Sequence, residues 1–165
     1  MKKVVPVVAV LCLVLIMSCT KKISSNQGGT WSFKSNNYTA TSFATGYGLV
    51  SVTNQPTVYS TSYTTLTVYF YGGLPTSGNY STTYSGTDTV KAGVFADTTT
   101  QVNISLEINN GSTSTLYHAT GGGGNQMINV SVVNANISIS GTSIMMSNVN
   151  NPADSAPLSL NLIQP

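Results

Sequence analysis

The 165-residue chain contains no arginine, one histidine, one tryptophan and two cysteines, and its only charged side chains are six lysines and four acids. Charged residues make up 6% of the chain, against roughly 25% in an ordinary soluble domain, so Ser, Thr, Asn and Gly have to cover the surface. A chain without arginine and with so little net charge has almost no counterion release to draw on, which excludes nucleic acid as a partner. One histidine and two cysteines cannot supply the four nitrogen or sulfur ligands of a structural zinc site, and no cofactor is expected. Any Ser-His-Asp triad would have to be built on His118. No stretch beyond the first 18 residues shows helical periodicity, and no repeat of fixed period appears.

What is present begins at the N-terminus. Met1-Lys2-Lys3 is a short basic segment, and Val4 to Met17 is an apolar run too short for the ~20 residues of an ordinary membrane span. The segment reads as a cleaved secretory signal. Within it, Ile16-Met17-Ser18-Cys19 resembles the lipobox of bacterial lipoproteins, with an aliphatic residue three places before the cysteine and a small one just before it. Met17 departs slightly from the pattern, where smaller residues are commoner. The resemblance implies that residues 1–18 are removed and that Cys19, as the new first residue, carries diacylglycerol and an amide-linked acyl chain such as palmitate. Thr20 follows where an acidic residue would favour inner-membrane retention. The resemblance therefore implies the outer membrane of a Gram-negative bacterium, with the periplasmic face favoured over the cell surface because no acidic run follows Cys19.

Cys12 leaves with the signal, so the mature chain can form no internal disulfide. Four lysines then face four acids, for a formal charge near zero. Residues 19–29 form the lipidated cysteine and a flexible tether rich in polar residues and glycine, expected to let the domain float just clear of the headgroups. Residues 30–165 form a single domain.

That domain is all-β by pattern. Val102, Ile104, Leu106 and Ile108 alternate with polar residues, as do Leu66, Val68 and Phe70; Ile128, Val130 and Val132; Ile137 and Ile139; and Leu158, Leu160 and Leu162. Asn109-Asn110-Gly111 and Ser140-Gly141-Thr142 read as turns, and Gly121 to Gly124 as a loop. About ten short strands with one apolar face each predict an antiparallel β-sandwich, with a β-barrel as the alternative. Thr30-Trp31-Ser32-Phe33, then Gly73-Leu74-Pro75-Thr76-Ser77-Gly78-Asn79-Tyr80, then the run from Met127 to Val149, are similar to the small β-rich lipoproteins of uncharacterised function in Bacteroidota. That family implies a fold and no activity.

The candidate chemistries are sparse. The acids are Asp88, Asp97, Glu107 and Asp154, and no pair of them is spaced for hydrolysis; Asp88 or Asp97 could hold calcium only with loop carbonyls, and no Asp/Asn-spaced loop supports it. Catalytic residues and metal ligands are therefore expected to be none. Asp88-Thr89-Val90, Asp97-Thr98-Thr99 and Asp154-Ser155-Ala156 resemble the acceptor pattern of periplasmic O-glycosylation in Bacteroidota, which makes Thr89, Thr98 and Ser155 candidate acceptors. Tyr69 and Tyr71 lie opposite the apolar face of their strand, as aromatics that stack on sugar rings would. Trp31 is expected in the core. The expected function is a membrane-anchored, non-enzymatic structural or ligand-binding module whose partners are membrane lipid and a glycan or envelope protein. The alternative is an enzyme acting on envelope polysaccharide through its few carboxylates.

Overall fold

The computed structural model describes residues 21–22, 28–83, 100–121 and 126–165. The signal segment, Cys19, Thr89, Thr98, Asp88, Asp97 and Gly122 to Gly124 lie outside the described residues. Twelve strands and no helix form the secondary structure of the described part, so the fold is all-β, in one continuous sheet.

One arm of the sheet runs β1 (Lys21–Lys22), β4 (Ser42–Gly46), β5 (Leu49–Asn54), β6 (Ser62–Phe70) and β8 (Gln101–Asn110), every neighbour antiparallel. The other runs β11 (Asn136–Asn148), β12 (Ser155–Ile163), β2 (Gly29–Phe33) and β3 (Asn36–Thr39). Two links join β8 to β11. At one end β7 (Gly78–Thr82) and β10 (Met127–Val133) pair with each other, β7 lying parallel to β8. Further along, β9 (Ser114–Ala119) pairs with both β8 and β11. The far edges of the arms also meet, because Ala40 N donates to Gly29 O at 3.0 Å and Thr41 N to Thr53 O at 2.7 Å. There the chain leaves β2's side and joins β5's, so β3 and β4 are one strand bent at Ala40–Thr41.

The alternating residues explain the core. Leu66, Val68, Phe70, Val102, Ile104, Leu106, Ile128, Val130, Ile137, Ile139, Leu158, Leu160 and Leu162 all point into one buried cluster, as the sequence predicts. Phe43, Val50 and Val52 join them from a hairpin that the sequence reading does not single out. Trp31 is buried and stacked on Tyr38, with ring centroids 5.4 Å apart.

Turn chemistry departs from expectation in two ways. Asn109-Asn110-Gly111 does close the β8–β9 hairpin, with Gly111 N donating to Asn109 Oδ1 at 2.7 Å. Ser140-Gly141-Thr142 does not turn; it is a bulge inside β11, where the register with β12 shifts between Gly141 and Ile144. A Cβ at Gly141 would come within 2.9 Å of both Ile128 and Ile144, so glycine is there for close packing under the bulge. Conversely, two-residue hairpins form without glycine at Lys34-Ser35 (φ 48° and 64°) and Asn134-Ala135 (φ 51° and 64°). Both central residues take the left-handed region that a type I′ turn requires. Alanine is strained there. Ala135→Gly is expected to raise the unfolding free energy by about 0.5–1 kcal/mol, read as a higher urea midpoint at unchanged slope.

The Pro75-x-x-Gly78-x-Tyr80 segment leads into β7 through a corner. Tyr80 Oη accepts from Thr76 N at 3.0 Å and donates to Thr76 O at 2.9 Å, and its ring packs edge-on against Phe70. At the N-terminal side, Lys21 and Lys22 pair with Phe43 and Ser42, so this part of the expected tether is aligned with the edge of β4. Strand directions then define two ends. The β4–β5 turn, the β6–β7 loop, the β10–β11 turn and Gln164–Pro165 form the lower rim. The β2–β3 turn, the β5–β6 loop, the β8–β9 turn and the β11–β12 loop form the upper rim.

Candidate functional site

Three groups of side chains carry the chemistry of the described surface. The first is at the upper rim. The tight β2–β3 turn projects Lys34 across the mouth of the β11–β12 loop, where its Nζ is ion-paired with Asp154 and donates to Tyr117 Oη at 2.8 Å. Tyr117 Oη donates to Asp154 Oδ2 at 2.8 Å, and Asn148 Nδ2 donates to the same oxygen at 3.1 Å. The Lys34 ammonium also lies 4.7 Å from the centre of the Tyr117 ring, and that ring packs edge-on against Phe33 at 4.8 Å. The hydrogen bond from Lys34, then those from Asn148 and Tyr117, hold the Asp154 carboxyl at about 2, below its ordinary 3.8. Asp154 and Tyr117 in turn raise the Lys34 ammonium above its ordinary 10.5.

These shifts set a pH window. Asp154 binds a proton more weakly in the folded chain than in the unfolded one, so its contribution is complete above about pH 4 and is lost as pH falls towards 2. Lys34 holds its proton more tightly when folded, so its contribution is complete below 10.5 and disappears as pH rises through its raised value. Asp154→Asn is expected to flatten the acid limb of a plot of melting temperature against pH and to shrink the alkaline limb. An unchanged acid limb would show that another group controls it. Both partners are about one-third exposed, so the pair fastens a turn to a loop and contributes modestly to stability.

The second group centres on Glu107. It lies on the outer face of β8, where Tyr63 Oη donates to its Oε1 at 3.2 Å and Ser114 Oγ at 2.7 Å. Cross-strand register explains both contacts, since β6 and β9 flank β8 at this level. Glu107 thus has two hydroxyl partners and no carboxylate partner among the described residues. His118 is buried in β9, with Ser105 and Ser147 as its cross-strand neighbours. Among the described residues there is no group of three side chains able to hold a metal ion.

The third group is aromatic. Tyr69 is half-buried on the outer face of β6, level with Leu49 and Asn103, and Tyr71 is half-buried just past the strand's end. The sequence reading missed their neighbour Tyr47, which tops the two-residue turn Tyr47-Gly48 and is almost wholly exposed. Gly48 takes φ 71° and sits against Gly73, where an added Cβ would come 3.0 Å from Phe70 O. This close approach brings the β4–β5 turn to the β6–β7 loop. The signal for Tyr47 was its place before a glycine between the runs holding Phe43 and Val50. Nothing local signals the Lys34–Asp154 pair, whose members are 120 positions apart.

Ser155 is exposed at the head of β12, with the carboxylate of the preceding Asp154 engaged as above. Among the described residues no helix is long and apolar enough to cross a membrane. No family model matches the chain, and neither a curated protein nor a solved structure matches it.

Proposed function

We propose that this chain is a lipid-anchored protein of a bacterial outer membrane, held at the periplasmic face through acylated Cys19, whose domain recognises a glycan or an envelope protein and catalyses nothing. The signal-like leader and the lipobox-like Ile16-Met17-Ser18-Cys19 support the anchor. The observation that carries the non-enzymatic reading is where the described acids are spent. Asp154 is tied to Lys34, Tyr117 and Asn148 and held ionised, which suits a fastening and disqualifies it as a general acid near neutral pH. Glu107 is held by Tyr63 and Ser114 on an open strand face. Recognition would fall to Tyr69 and Tyr71, half-buried aromatics of a chain rich in hydroxyl and amide side chains, with Leu49 and Asn103 as the cross-strand neighbours of Tyr69. O-linked glycans at Thr89, Thr98 and Ser155 would add hydration to a surface short of charge.

The anchor is tested by growth with labelled palmitate. The native protein is expected to take up label and Cys19→Ala to take up none; label persisting in that variant would refute the anchor. The competing enzymatic reading has its own test. If Glu107→Gln or Asp154→Asn abolished a measured turnover of envelope polysaccharide, the domain would be an enzyme.

A further inference from the structure

Glu107 is the only Lys, Asp or Glu in β5, β6, β8 and β9, four strands whose outer faces adjoin. The protein orients its carboxylate: Tyr63 Oη and Ser114 Oγ both donate to Oε1, and among the described residues none donates to Oε2. A carboxylate oxygen has lone pairs for two hydrogen bonds. Oε2 is thus a positioned acceptor on a half-buried side chain, with no lysine on its own strand or on those beside it.

The surroundings add hydroxyls and aromatic area. Tyr63 is level with Asn109, two positions along β8 from Glu107, so a hydroxyl that meets Glu107 Oε1 belongs to a ring leaning towards the middle of the face, over the seam of β6 and β8. Tyr69 stands on the same face of β6, ~20 Å away at the rise of an extended strand. Between the two tyrosines the side chains of β6 are short. Thr67 is buried and shares a hydrogen bond of 3.1 Å with Ser51, and Thr65 shares one of 3.1 Å with Thr53. Each such pair uses one O–H and keeps the other, with free lone pairs. The face is therefore a low polar floor with a ring at each end and a carboxylate beside Tyr63.

We infer that this floor holds a linear glycan without anionic groups, lying along β6 from Tyr69 to Tyr63, with one sugar against the Tyr63 ring and a hydroxyl of that sugar donating to Glu107 Oε2. The inference rests on the reading of the domain as a glycan-recognition module; to the station at Tyr69 and Tyr71 it adds a second one that sets the class of glycan. Charge decides that class. A carboxylate without a neighbouring cation attracts O–H and N–H donors and repels phosphate, sulfate and uronate. A protein partner would need an apolar, desolvated centre, and the centre of this face is the cross-strand pair Thr67 and Ser105.

Calorimetric titration of the full acylated chain, in a detergent without sugar headgroups, with the hexamers of N-acetylglucosamine and of galacturonic acid tests this. The neutral hexamer is expected to bind at least ~10-fold more tightly than the anionic one. Glu107→Gln should weaken the neutral hexamer ~10-fold and narrow the gap between the two, because it removes the charge and leaves an oxygen for Tyr63 and Ser114. Tyr63→Phe, which keeps the ring, should lose less than Tyr63→Ala. Equal binding of the two hexamers, or neutral binding that Tyr69→Ala removes and Glu107→Gln leaves intact, would overturn the station at Glu107 and leave recognition at Tyr69 standing. Saturable binding of neither hexamer would overturn the glycan as occupant and leave an envelope protein as the domain's partner.

Discussion

Phe33→Ala is expected to lower the unfolding free energy by about 3–5 kcal/mol. The side chain is 1% exposed and belongs to the core cluster, so its removal deletes buried apolar area and leaves a cavity there. Phe33 also supports Tyr117, whose hydroxyl organises Asp154 and Lys34, and the turn that follows it delivers Lys34 itself. The loss should therefore be felt twice, as reduced stability and as a weakened acid limb in the pH profile. A domain of this size has about 5–15 kcal/mol in all, so the loss is a large share of the total and unfolds the variant if the total lies near the low end. Urea titration of the purified protein measures it. A change below about 1 kcal/mol would show that the site collapses around the gap, or that Phe33 packs less tightly than its burial implies.

Gly29→Ala should act through the backbone. Gly29 takes φ 92°, and an added Cβ would lie 2.2 Å from Asn161 O and 2.5 Å from Leu162 Cα, neither of which can rotate away. Glycine is needed here because β2 enters the sheet against the backbone of β12. The same residue offers its carbonyl to Ala40, at the bend where β3 becomes β4. Moving Gly29 to relieve the clash would thus disturb both the β2–β12 ladder and the junction of the two arms. The expected destabilisation is about 2–4 kcal/mol, built from left-handed strain and lost ladder bonds. Amide exchange locates it: Ala40 and Ile163 should lose protection before Ile104 or Leu106 do. Retained protection at Ala40 would mean that the junction holds without Gly29's carbonyl.

Sequence patterning made the long inner rows legible because period-two alternation needs only neighbours along the chain. Val102 to Ile108 and Leu158 to Leu162 face inward as their spacing predicts. β3 and β4 were harder, since Asn36 to Thr39 has no apolar alternation and is a strand only because β2 templates it. Gly141 misled for a different reason: a glycine flanked by hydroxyl residues reads as a turn, but here it permits contact with Ile128 and Ile144 inside a 13-residue strand. Glu107's partners follow from pairings between strands, which no local pattern encodes. Alternation puts Tyr69 opposite the apolar face of β6 but does not foretell that Tyr69 and Tyr71 are half-buried, and Tyr47 escapes it because neither flanking strand shows a long alternating run.

The short margins of the sheet have a consequence for crowding. β3 contributes four residues, Asn36 to Thr39, and β1 lies along β4, which itself has only five. Long unpaired margins invite a neighbouring molecule to continue the ladder, and brief, hydrophilic ones deny it room. A population packed shoulder to shoulder can therefore stay dispersed, with each molecule diffusing on its own and none zipping its backbone to the next.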